Sequence, residues 1–232
     1  MADRPPRIFD PHQVPVVGTD DHLPALPQER LTPQSLRERF ADPREWTPEF
    51  TGDGRLIRDV EPTDASVLIP VVARDDGPRI LLTRRTAHLR DHAGQISFPG
   101  GRAEAHDDSA VHTALRETEE EVGLSREHVQ VLGQLNPYTT VTSYRVTPVV
   151  ALVRPGFTLA LDAFEVEEAF EVPLSFLMTP AHHRRHALQW QGGLRQFLSM
   201  PWQGHDPLGQ PREYFIWGAT AAMLRNLYWF LR

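Results

Sequence analysis

One stretch constrains this chain more than any other: residues 116–124, Arg-Glu-Thr-Glu-Glu-Glu-Val-Gly-Leu, beginning fifteen residues after Gly101. On a helix Glu117, Glu120 and Glu121 stand at i, i+3 and i+4 and therefore share one face. Val111, Ala114, Leu115, Thr118 and Val122 supply a neighbouring face that can pack on a core. Glu119 points away from both as a solvated charge, and Gly123 is placed as the C-cap. Three like charges within one turn repel one another, with no Lys or Arg four residues on to relieve them. Such a helix suits a hard divalent cation, because carboxylate oxygens are the ligands that Mg²⁺ and Mn²⁺ prefer. Glu-rich helices are more often plain solvated faces. Against that, a window matching R, E, E, E and G at five fixed positions arises by chance on the order of once in a million. Here the match also follows a Gly-Gly turn.

The 232 residues suffice for one domain, or one domain with an arm. With no cysteine, disulfides, zinc–thiolate sites and a cysteine nucleophile are all excluded. The polar, proline-broken start (Met1, Ala2, Asp3, Arg4, Pro5, Pro6) does not resemble a signal peptide, and the apolar runs are too short to span a bilayer. A soluble cytoplasmic protein with no membrane partner is the expectation. The net charge of −7 argues against non-specific nucleic-acid binding. Its distribution says more. Arg84, Arg85, Arg90 and Arg102 make one stretch basic, and Glu104, Asp107, Asp108, Glu117, Glu119, Glu120 and Glu121 make the next acidic. That sequence of charges suits an anionic ligand bridged by a metal ion, as phosphates on Mg²⁺ are.

Residues 1–60 are proline-rich, with one short helix expected after Thr32 and Pro33, which supply an N-cap and an N1 proline. They form an arm that packs on the domain at 61–232 or on a second subunit. Strands are expected at 67–73 and 79–83, joined by a turn at Asp75-Asp76-Gly77-Pro78, and again at 129–135, 147–153, 170–172, 196–200 and 214–217. A helix at 219–231 closes the chain. Its aromatic end, Tyr228-Trp229-Phe230, must be covered by something, and a homodimer is one assembly that would do so. The run His182-His183-Arg184-Arg185-His186 lacks a metal-ligand spacing and reads as a surface loop. Helices interleaved with strands and a hairpin give an α/β or α+β sandwich.

The segment GGRAEAHDDSAVHTALRETEEEVGL, Gly100 to Leu124, resembles the signature of the Nudix hydrolases, G-x5-E-x7-R-E-U-x-E-E-x-G-U with U aliphatic. With five residues between it and Gly101, the acid is Asp107 rather than Glu, eight residues instead of seven separate it from Arg116, and Thr118 stands at a U position. Upstream, Leu81-Leu82-Thr83-Arg84-Arg85-Thr86, Arg90, Gly94 and Phe98-Pro99-Gly100-Gly101 resemble L-L-T-x-R-S-x3-R-x3-G-x3-F-P-G-G. That pattern marks the coenzyme A pyrophosphatase branch, whose members commonly share the longer spacing.

The resemblance implies an α/β/α sandwich with a mixed sheet between helices. It also implies Mg²⁺- or Mn²⁺-dependent hydrolysis of the pyrophosphate of coenzyme A to 4′-phosphopantetheine and adenosine 3′,5′-bisphosphate. Another nucleoside diphosphate derivative, such as a dinucleotide or nucleotide sugar, and a non-catalytic nucleotide-binding module are the competing functions. Glu117, Glu120 and Glu121, with the Gly101 carbonyl, are the expected metal ligands. Glu120 is either a ligand or the base that takes the proton from water, and Glu121 shares the catalytic role. Arg116 is expected to orient Glu120 or Asp107. Asp107 and Asp108 compete for the loop role, with Asp107 favoured and Asp108 as helix N-cap. Arg85 and Arg90 are candidates for binding substrate phosphates, with His92 and Gln95 as hydrogen-bond donors. Glu165 and Glu168 are further acids, the alternative being a polar loop before strand 170–172.

Overall fold

The apolar run read as a buried strand lies at the centre of the molecule. The computed structural model describes residues 8, 10–53, 61–87, 94–190 and 193–232. Its strands and α-helices, in chain order, are β1 (Val16–Thr19), α1 (Pro33–Ala41), β2 (Thr63–Val72), β3 (Arg79–Arg85), β4 (Ile96–Ser97), β5 (Gly100–Arg102), α2 (Ala110–Val122), β6 (Val129–Gln134), β7 (Tyr138–Thr139) and β8 (Tyr144–Val153). They continue with β9 (Val166–Pro173), α3 (Leu174–Leu177), β10 (Arg184–Trp190), β11 (Gly193–His205), β12 (Pro211–Trp217) and α4 (Gly218–Leu231).

β2 pairs in parallel with β8 over its whole length, and β3 and β6 flank this pair antiparallel. Short β5, β7, β4 and long β9 complete an eight-stranded mixed sheet. Because both faces are covered, β2 is apolar continuously instead of alternately. Leu68 packs towards α2 with Ala114, Val149 and Ala151. Its neighbours Ile69 and Val71 join Val150, Leu152 and the apolar residues of α4 in the main core. The sandwich expected from the sequence is present. A second, antiparallel sheet, β1-β10-β11-β12, packs beside it.

Two expectations are corrected. Residues 182–186 are no surface loop: β10 begins at Arg184, and His183 and His186 are buried. His183 is neutral because its Nδ1 accepts from Arg225 Nη1 at 3.0 Å, which leaves Nε2 to donate to the Leu177 carbonyl at 2.8 Å. Burial takes its pKa down to about 4. The N-cap of α2 is Ser109, whose side chain accepts from the His112 amide at 3.1 Å, and not Asp108, whose amide donates to His112 Nδ1.

The aromatic C-terminus is covered by the chain's own N-terminal segment. Tyr228 donates to the Pro24 carbonyl, Asn226 brackets the backbone of Phe50, and the Phe40 and Phe230 rings pack at a tilt with centroids 4.4 Å apart. Glu49 accepts from Arg185, Arg225 and Trp229.

Candidate active site

Helix α2 starts at the Ser109 cap and stops at Gly123, whose φ of +67° is a left-handed conformation that glycine adopts without a Cβ penalty. Its apolar stripe sets the rotation of the helix about its own axis, so the carboxylates must face the segment 100–102. That segment lies tight against β2. A Cβ at Gly100, whose φ is +149°, would meet the Ser66 carbonyl oxygen at 2.4 Å, and one at Gly101 would meet Glu117 Oε2 at 2.4 Å. The Gly-Gly pair therefore makes room first for a strand and then for a carboxylate.

Glu121 is buried and accepts from the Gly100 amide at 3.0 Å. Arg85, at the end of β3, reaches its Oε1 at 3.4 Å and lies 3.7 Å from Glu165 Oε2. Burial raises the Glu121 carboxyl to about 7, against the opposing pull of the Gly100 amide and Arg85. Burial raises Glu117 as well. Glu117 and Glu121 are thus two desolvated carboxylates beside each other, and Glu165 adds repulsion to both.

Arg116, nearly buried, donates from Nε and Nη2 to both oxygens of Asp107 at 3.1 and 2.9 Å, from Nη1 to Glu120 at 2.9 Å, and from Nη2 to the Arg102 carbonyl at 3.1 Å. Its Nη1 also lies 2.9 Å from Glu117. The sequence offered Glu120 or Asp107 as its partner, and it takes both. This guanidinium holds the Asp107 carboxyl well below the usual range, and Thr113 and the Glu104 amide also donate to it. Asp107 is thus a buried anchor that fixes Arg116 and, through it, the acids above. Glu120 is the most exposed of the three and is drawn towards Arg116. Glu119 is solvent-facing and pairs with Arg126.

Glu117 and Glu121 thus come together beside Gly100 and Gly101, with Arg85 and Glu165 at the rim. Gln95 joins through its backbone, its carbonyl accepting from the Arg85 amide at 3.0 Å. Arg90 and His92 lie outside the described residues. Glu168 is not in a polar loop but within β9, opposite Arg84, where its carboxylate is taken by Tyr214 at 2.5 Å and Arg212 at 2.8 Å. It joins the mixed sheet to β12. Two contributors were not singled out from the sequence as builders of the site. The Gly100 amide is legible only as part of F-P-G-G, and Thr113 carries no signal beyond lying six residues from Asp107.

Among the described residues, no three acidic or imidazole side chains already stand as a cation cage. The donor set nevertheless fits a divalent ion. The carboxylate oxygens of Glu117 sit where a Cβ at Gly101 is excluded, Glu121 lies on the neighbouring Gly100 amide, and a dication would offset the cost of these two desolvated carboxylates.

The family model described as NUDIX domain matches residues 62–191. A protein of Yersinia enterocolitica described as an uncharacterized Nudix hydrolase NudL is 42% identical over 163 residues, covering 70% of this chain and 78% of that protein. One of the same description from Photorhabdus laumondii is 41% identical, covering 70% of this chain and 82% of that protein. Among solved structures, an Ap4A hydrolase binary complex of C. elegans aligns with a TM-score of 0.42 at 17% identity, covering 50% of this chain and 85% of that one. Among the described residues no helix is long and apolar enough to cross a membrane.

Proposed function

Since the chain belongs to the Nudix hydrolase family, we propose that it hydrolyses the pyrophosphate bond of coenzyme A and its thioesters, with Mg²⁺ or Mn²⁺. The observation that carries this reading is the meeting of two motifs distant in sequence. The strand bearing Leu-Leu-Thr-Arg-Arg delivers Arg85 to Glu121, and Phe-Pro-Gly-Gly delivers the Gly100 amide to the same carboxylate. Both patterns belong to the upstream run that resembles the coenzyme A branch, and Glu121 belongs to the hydrolase signature.

In this reading Glu117 and Glu121, with Glu120 and the Gly101 carbonyl, hold the metal. When bound, the metal neutralises the phosphate oxygens and makes bound water more acidic. Arg85 binds a phosphate of the substrate, exchanging its contact with Glu121 for one with the ligand, since a guanidinium matches phosphate oxygens in pairs. Arg90, His92 and Gln95 are assigned to the substrate on the motif alone. Arg116 sets the direction of Glu120 and Glu117 and makes no contact with substrate. Glu120 is the exposed acid able to accept a proton, with Glu165 as the second acid at the rim. Glu168 has a structural part only. Residues 1–60 serve as an arm to the domain at 61–232.

The test is a substrate panel with purified protein and Mg²⁺ or Mn²⁺. Free and acylated coenzyme A should exceed nucleotide sugars and dinucleoside polyphosphates in kcat/KM. A nucleotide sugar or dinucleotide leading the panel by a wide factor would replace the substrate assignment.

A further inference from the structure

A cavity of about 260 Å³ remains between β7, β11, the start of α4 and the N-terminal segment, and none of its residues takes part in the proposed hydrolysis. Phe50, Tyr138, Phe197, Leu198 and Ala222 give it apolar walls, and Asp53 is its one charged lining residue. Protein interiors leave few voids larger than a water molecule, so an open space of this size calls for a reason. Slack in the N-terminal segment is not that reason. Asn226 of α4 brackets the Phe50 backbone, and Gly52 lies so close to β7 that a Cβ there would meet the Thr139 carbonyl oxygen at 2.4 Å. Asp53 is fixed as an acceptor, its Oδ1 taking the Tyr138 hydroxyl at 2.6 Å and its Oδ2 the Val141 amide at 3.1 Å. Both sides are pinned, and the space between them stays open.

The strands set the distance from this cavity to the acidic face of α2. Arg102 lies opposite Ala65, Ala65 opposite Val146 and Val146 opposite Tyr138, one row across β5, β2, β8 and β7. Three strand spacings put Tyr138 about 14 Å from Arg102, the residue after Gly101. The geometry points to this cavity as the seat of the acyl group of a coenzyme A thioester, with the pantetheine arm lying between it and the pyrophosphate. This deepens the proposed function and rests on its premise that coenzyme A is the substrate. An extended pantetheine arm of about thirteen bonds reaches about 15 Å, at the advance per bond of an extended chain. Among the described residues β5 pairs with β2 alone, so its outer edge is where the arm crosses from the α2 face to the α4 face. Charge sorts the two ends of the substrate. A cavity whose one charge is a carboxylate repels the further phosphate of the adenosine end, whereas the neutral pantetheine arm offers amide N–H groups to it. Apolar walls favour a hydrocarbon chain, the volume restricts it to a short one, and Asp53 disfavours an acyl group that ends in a carboxylate.

Butyryl- and succinyl-coenzyme A test this directly, since both carry four acyl carbons and they differ in a terminal carboxylate. With Mg²⁺, kcat/KM for the butyryl thioester should exceed that for the succinyl thioester at least about tenfold. Asp53→Asn keeps the size and an acceptor oxygen, and should shrink that ratio to within about threefold, whereas a damaged fold lowers both substrates alike. Ala222→Phe fills the cavity and should lower butyryl- relative to free coenzyme A at least about tenfold. Equal kcat/KM for the two thioesters in wild type, an unchanged ratio in Asp53→Asn, or palmitoyl-coenzyme A matching the butyryl thioester would each overturn the role of the cavity. Turnover of free coenzyme A in those cases leaves the proposed reaction standing. Calorimetric titration of both thioesters without metal covers the converse. Butyryl-coenzyme A bound selectively by wild type and not by Asp53→Asn, with no thioester or free coenzyme A hydrolysed in Mg²⁺, keeps the cavity and removes the reaction. Neither selectivity nor hydrolysis removes both.

Discussion

Single residues here act by the space they leave as much as by the groups they carry. Gly101 is the clearest case, because even a methyl group would sit inside the Glu117 carboxylate. Gly101→Ala should therefore leave the fold intact and push Glu117 aside. The expected outcome is Mn²⁺ affinity at least about tenfold weaker by titration, with a melting temperature close to wild type. Unchanged Mn²⁺ binding would remove Glu117 from the ligand set. Arg116 illustrates the opposite economy, one guanidinium serving Asp107, Glu120, Glu117 and a backbone carbonyl. The sequence named Glu120 and Asp107 among its partners because i, i+4 spacing and a short loop confine the choice, and did not name Glu117 or the Arg102 carbonyl. It could not foresee that Glu168 is consumed by Tyr214, since that contact joins residues 46 apart on different sheets.

At the scale of elements, α2 was almost wholly legible: its apolar stripe, its acidic face and the Gly123 cap follow from 3.6-residue periodicity and the left-handed turn. Its first residue was not, because Asp108 and Ser109 are both good N-caps and only the path of the loop decides between them. Ser109→Ala should destabilise the protein by about 1 kcal/mol, and Asp108→Ala by clearly less, in urea unfolding. Equal losses would argue that the loop, not the cap, fixes the helix start. Strand β10 was hidden for a different reason. A His-His-Arg-Arg-His run reads as solvated until Arg225, Asp20 and Glu49 supply the partners that let it be buried. Polar residues reveal a buried strand only when those partners are known.

At the scale of the whole molecule, the segment at residues 14–53 is wound onto α4 and β10, and His183 sits at that junction. Its pKa of about 4 when folded lies below the ordinary 6.5. The unfolded chain therefore binds the extra proton between these values. Stability from this group is complete above about pH 6.5 and is lost as pH falls towards 4, by about 3 kcal/mol in all. Urea unfolding at a series of pH values should show a steeper decline for wild type than for His183→Gln across that window. Parallel declines would mean that carboxylates alone set the acid limb. The reaction proposed for the acidic face of α2 and Arg85 is cleavage of the pyrophosphate bond in coenzyme A. Mass spectrometry of coenzyme A incubated with the protein and Mg²⁺ tests it most directly. The expected products are 4′-phosphopantetheine and adenosine 3′,5′-bisphosphate in equal amounts, falling at least a hundredfold with Glu121→Gln. Intact coenzyme A after prolonged incubation with either metal, or equal product from Glu121→Gln, would contradict it.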